Sequence, residues 1–242
     1  MARISKLFEK TDGLLLRCLG LTKPVDTDRE PTQISQGTFK PSDCSSCPWD
    51  TAFVLDRSTS MTYKDCRPSR LAASQHSVET YVRTRAAICP NDRVAIVSFA
   101  LSATIELPLT SISNIESIIN AVWRLRGNGG TDMATGINYG CLLLKSLLMN
   151  IETNRVRRIL LLTDGRGGNP LHIAEEAKND GILLDVIGIG GKPSAVDEPL
   201  LRRVATTDAD GLNHYWFIKD TDSLVKHYQQ LATSLVWRSG TR

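Results

Sequence analysis

The sequence predicts a doubly wound α/β domain: a mostly parallel six-stranded sheet with one antiparallel edge strand and helices on both faces. Three observations carry this. Apolar runs of strand length recur along the chain, segments with helical periodicity separate them, and polar clusters follow the runs where the chain would leave the sheet.

Residues 51–55, 93–99, 158–163 and 183–189 are nearly continuous β-branched or leucine stretches, the pattern of strands buried on both faces of a parallel sheet. Between the first two, Leu71, Val78, Val82 and Ala86 step by seven, four and four residues, which keeps them on one helix face. Comparable helices fit 112–125, 133–148, 171–179 and 223–236. Residues 103–107 would return antiparallel beside the second strand after a tight turn, and 214–218 would form a last strand at the opposite edge.

The 242-residue chain is long enough for one such domain, and 41% hydrophobic with 23% charged residues is globular composition, not that of a disordered chain. Four segments are expected: an amphipathic stretch at 1–23, a linker at 24–49 rich in Pro, Ser, Thr, Asp and Gln, the domain at 50–237, and a tail at 238–242. In 1–23, Ile4, Leu7, Phe8, Leu14, Leu15, Cys18 and Leu19 recur at helical spacing. That pattern fits a helix docked on its own domain, on a partner, or on a membrane surface as a peripheral anchor. The same stretch holds five Lys and Arg against two acids, which accounts for the whole formal net charge of +3. The remainder is balanced and has no run of five or six like charges, so nucleic acid is not an expected partner. No stretch has the roughly 20 apolar residues that cross a bilayer, and 14–21, interrupted by Arg17 and Gly20, is a poor secretory signal. Six cysteines without an export signal fit reduced thiols and a cytoplasmic location.

Ligands of open parallel sheets sit beyond the carboxyl ends of the strands. There the first strand runs into Asp56-Arg57-Ser58-Thr59-Ser60, with carboxylate and hydroxyls at every second position. Gly129-Gly130-Thr131-Asp132 opens the helix that begins near Met133, and Thr163-Asp164-Gly165 ends a central strand. Asp56, Ser58, Ser60, Thr131 and Asp164 are therefore the candidate metal ligands. Two carboxylates and three hydroxyls are hard oxygen donors, suited to Mg2+, with Mn2+ or Ca2+ as alternatives, and poorly suited to zinc or copper. Because Mg2+ seldom gives up all its water, some groups would act through bound water, and one coordination position is open to an oxygen from elsewhere.

Asp-x-Ser-x-Ser, a distant Gly-Gly-Thr-Asp and Thr-Asp-Gly together resemble the metal-ion-dependent adhesion site of von Willebrand factor A domains, over roughly residues 50–237. Each motif alone occurs by chance in turns; their joint order at one sheet edge carries the resemblance. It implies a Rossmann-like fold, a metal role for those five residues, and binding of a protein partner in place of catalysis. It further implies that a Glu or Asp carboxylate of the partner completes the coordination, and that Asp132 orients the site from behind the ligands. Intracellular bacterial relatives of this type accompany AAA+ ATPases of the MoxR kind, which makes such an ATPase the partner the resemblance implies. The rival expectation is a metal-dependent hydrolase, a phosphatase or nuclease, since carboxylates around Mg2+ also activate water. Against it, the motif loops lack a general base and a phosphate-binding lysine.

Other features have plainer readings. Cys44 and Cys47 have zinc-knuckle spacing and Cys89 precedes the second strand at the same amino-terminal edge, but a fourth ligand is wanting: His214 begins a strand about three positions away in the sheet. Neither Gly127-Asn128-Gly129-Gly130 nor the run from Gly188 to Lys192 completes a phosphate-loop pattern. His76, His172, His214 and His227 are expected to be solvated or on helix surfaces, and Trp123, Trp216 and Trp237 to pack. Arg57 and Arg166 flank the candidate metal and could meet an acidic partner.

Overall fold

The computed structural model describes residues 48–145 and 155–233. Its strands are β1 (Trp49–Asp56), β2 (Arg93–Phe99), β3 (Ala103–Ser111), β4 (Val156–Thr163), β5 (Leu183–Ile189) and β6 (Tyr215–Ile218). They form one sheet in the order β3-β2-β1-β4-β5-β6, parallel except for the β2/β3 pair. Helices α1 (Arg70–Ile88), α2 (Ile115–Trp123), α3 (Met133–Lys145), α4 (Leu171–Asn179), α5 (Glu198–Val204) and α6 (Thr221–Thr233) alternate with them. Strand order reverses between β1 and β4, the switch point at which an open sheet leaves a crevice above its carboxyl ends.

All eight residues of β1 are buried, and the two-residue alternation of a strand divides them. Phe53 and Leu55 face a core with Val78, Tyr81 and Val82 of α1, Ile118 of α2 and Tyr228 of α6, while Ala52 and Val54 face Met133 and Ile137 of α3 and Leu201 of α5. Phe53 meets Tyr81 edge to face at 5.1 Å and lies near-parallel to Tyr228 at 6.2 Å. On the other face α3 approaches so closely that a Cβ on Gly136 would lie 2.7 Å from Phe99.

Strands 93–99 and 183–189 and helix 171–179 fall at the expected bounds. β1 begins at Trp49, one residue before the expected domain start. β3 runs on to Ser111, past the expected 107, through register shifts on either side of Ile96 and with Pro108 in the edge strand. Helix α2 starts at Ile115 instead of 112, because buried Ile112 donates its N–H to the Asp92 carbonyl at 2.9 Å and so continues the β2/β3 pairing beyond Arg93 and Ser111. Helix α5 is unforeseen: seven residues are too few to show a period, and it is started by Asp197, whose side chain accepts the Leu200 N–H at 3.1 Å. Segment 1–23, the linker through residue 47, the helix extensions 146–148 and 234–236, and Cys44, Cys47 and Trp237 lie outside the described residues. Among the described residues no helix is long and apolar enough to cross a membrane.

The amino-terminal edge is filled by ion pairs. Arg85 reaches Asp92 at 2.6 Å, Asp50 takes both Arg93 and Arg155 at 2.8 Å, and Arg158 pairs with Asp185, which also bonds His214 Nδ1 at 2.7 Å. Trp49 is clamped there, with the guanidinium carbons of Arg85 and Arg158 at 4.9 and 5.0 Å from its ring and its N–H donated to Asp92. Cys89, at the same edge, is disulfide-bonded, while Cys66 and Cys141 are free thiols.

Two histidines depart from the expectation of solvent exposure. His214 is held by Asp185, and His227 of α6 is buried against Trp216, ring centroids 4.7 Å apart. Burial lowers the His227 pKa from its ordinary 6.5 to about 4. Between those values the unfolded chain binds a proton that the native state does not, so stability is lost as pH falls through this window. We expect the urea midpoint to drop between about pH 7 and about pH 5, and His227→Gln to flatten that drop. Equal slopes in the two proteins would assign the loss to another group.

Candidate metal centre

The five candidate ligands lie on three segments at the carboxyl edge of β1 and β4. Asp56 ends β1 fully buried, and its Oδ1 accepts the Ser58 N–H at 2.8 Å, a tight turn that brings the hydroxyls of Ser58 and Ser60 within 3.1 Å of each other. The second segment is stitched to the first: Thr59 N–H and Oγ1 both donate to the Gly129 carbonyl at 3.0 Å, and Asn128 N–H donates to that of Arg57 at 2.8 Å. This places Thr131 beside the β1 loop. Asp164 follows the end of β4 and is 1% exposed.

Thr163, which the sequence reading passed over, joins the two strand ends. Its hydroxyl donates to Asp56 Oδ2 at 2.6 Å and accepts the Gly165 N–H at 2.9 Å. A hydroxyl residue immediately before the strand-end Asp was the signal that could have found it. Asp164 is bound differently, with Oδ1 accepting the Arg166 N–H at 3.2 Å and Oδ2 accepting Arg70 Nη1 at 3.1 Å. Arg70 was also missed, although a cation in the first turn of a helix is a visible anomaly, since the helix dipole disfavours it there.

Asp132 acts through the backbone. Its Oδ1 accepts the N–H groups of Ala134 and Thr135 at 3.1 and 3.4 Å, starting α3, while its own N–H donates to the Ala100 carbonyl at 2.6 Å. Of the flanking arginines, Arg57 donates to Ser98 and Arg166 to the carbonyls of Ser194 and Ala195.

The residues suit a divalent cation. Among the described residues the donors to Asp56 are neutral groups, and burial pushes its carboxyl up to about 6, against the hydrogen bonds from Ser58 and Thr163, with nearby Asp164 adding to the rise. A buried carboxylate with no cationic partner and a second one beside it is stabilised by any cation the surrounding hydroxyls can also reach.

Thr131 is held from the far side by Gly167. There φ is +132°, and a Cβ would lie 2.5 Å from the Thr131 carbonyl oxygen. We expect Gly167→Ala to cost about 1–3 kcal/mol in thermal or urea unfolding and to shift the amide resonances of Thr131 and Asp132. Wild-type stability with unmoved resonances would show that this contact does not position the loop.

Comparison with known proteins gives a family match over part of the chain and a likeness of fold. Residues 51–166 match the model of the von Willebrand factor type A domain. The chain is 27% identical over 222 residues to calcium-activated chloride channel regulator 1 of Bos taurus, covering 91% of this chain and 22% of that protein. It is 27% identical over 201 residues to matrilin-1 of Mus musculus, covering 77% of this chain and 37% of that protein. The chain therefore spans well under half the length of these relatives. Pilus adhesin SpaC from Lactobacillus rhamnosus GG superposes with a TM-score of 0.61 at 18% identity, over 77% of this chain and 30% of that one, a likeness of fold alone.

Proposed function

We propose, from the support that residues 51–166 give for a von Willebrand factor type A domain, that this chain is a metal-dependent protein-interaction module. In this reading Asp56, Ser58, Ser60, Thr131 and Asp164 hold Mg2+, with Mn2+ or Ca2+ as substitutes, and a Glu or Asp carboxylate of a protein partner completes the coordination. The observation that carries it is the buried pair Asp56 and Asp164 at the switch point, with Asp56 surrounded, among the described residues, by hydroxyl and amide donors and no cation. When bound, the metal supplies a positive centre that attracts a carboxylate; the chain supplies the rigid cradle.

Each group has a task in this reading. Thr163 fixes the Asp56 carboxylate, Ser58 and Ser60 present hydroxyls from one turn, and Asp132 fixes the start of α3 and with it Thr131. A MoxR-type AAA+ ATPase is the first candidate partner to try, with a membrane-peripheral role for residues 1–23 as a separate arm.

Calorimetric titration should detect uptake of Mg2+ or Mn2+ by the wild-type protein and none by Asp56→Ala, whose circular dichroism stays native. Binding to a carboxylate-bearing partner should be lost in EDTA and in the variant alike. Metal-stimulated phosphatase or nuclease turnover that vanishes in Asp164→Ala would replace this reading with a hydrolase.

A further inference from the structure

The candidate cation site carries a positive charge of its own. Arg70 is 3% exposed, and its guanidinium is divided between two carboxylates. Nη1 donates to Asp164 Oδ2 at 3.1 Å, while Nε and Nη2 donate to the two oxygens of Asp65 at 2.8 and 2.5 Å. Asp65 is anchored in turn by the N–H groups of Cys66 at 3.0 Å and Gly191 at 2.8 Å, so the guanidinium cannot swing away without breaking a network that joins the loops after β1 and β5. The Tyr63 ring covers it at 5.3 Å.

We infer that Arg70 is a resident competitor for the cation: it occupies one oxygen of Asp164 and so sets the affinity of the metal site, and Asp65 governs how strongly it does so. This rests on the metal reading proposed above. A cation that takes Asp164 must share that carboxylate with a fixed guanidinium, and two positive charges on one buried carboxylate repel. Asp65 draws the guanidinium toward itself and weakens its hold on Asp164. Removing the arginine charge frees Asp164 and leaves Asp65 as additional negative charge nearby, whereas removing the Asp65 charge commits Arg70 to Asp164 alone. The two changes act in opposite directions. A merely structural role for the same network moves both the same way, because either substitution loosens the loop between β1 and α1.

The test is calorimetric titration of the full chain with MgCl2 and MnCl2 in three forms: wild type, Arg70→Gln and Asp65→Asn. We expect Arg70→Gln to bind about tenfold more tightly than wild type and Asp65→Asn about tenfold more weakly, with thermal melts lowered in both. Arg70→Gln binding no tighter than wild type overturns the inference and leaves the metal reading standing. Should Arg70→Gln fail to fold, Asp65→Asn decides, and affinity unchanged or raised in it overturns the inference. No uptake by the wild type overturns the metal reading itself, and this inference with it.

Discussion

A strand buried on both faces cannot end on a carboxylate unless something else supplies what water would have supplied. That constraint organises this molecule. β1 has no exposed residue, yet it begins beside Asp50 and ends on Asp56. An uncompensated buried charge costs several kcal/mol, so the neighbourhood of each acid is determined by how the chain compensates it.

The two ends of the sheet solve the problem in different ways. At the amino-terminal edge every buried acid meets an arginine: Asp50 with Arg93 and Arg155, Asp92 with Arg85, Asp185 with Arg158. Those charges are cancelled within the fold, and the edge is chemically closed. At the carboxyl edge, among the described residues, Asp56 receives amide and hydroxyl donors, and the buried Arg70 is shared between Asp164 and Asp65. Negative charge is left over on one side of the sheet and not on the other, and the asymmetry gives the domain a working face.

Much of this was legible in the residues. Buried parallel strands write continuous apolar runs, so β2, β5 and the helix α4 between β4 and β5 could be bounded to the residue, and the order of Asp56, Thr131 and Asp164 on successive loops placed them at one edge. What escaped depends on contacts between distant segments. Thr163 reads as the last residue of an apolar strand until Asp56 is seen beside it, 107 residues away in sequence. Asp65 looks like an ordinary loop charge, and Arg70, out of place in the first turn of α1, shows no purpose until Asp164 is brought to it. His227 sits on a polar-looking helix whose buried side is fixed by α1 and β6, and Trp123, expected to pack, is 40% exposed and donates its indole N–H to Glu79 at 2.8 Å. Short elements such as α5 are set by a local cap, below the reach of periodicity.

The irregular strand at one side of the sheet bears on self-association. Open sheet edges are templates on which further chains can add, and proteins blunt them with bulges, prolines and brevity. β3 breaks step with β2 on either side of Ile96 and carries Pro108, which has no N–H to offer a newcomer, while β6 at the other side is four residues long. Neither rim gives an uninterrupted ladder, so polymerisation by sheet extension is disfavoured and assembly of this domain is left to its loops and helices.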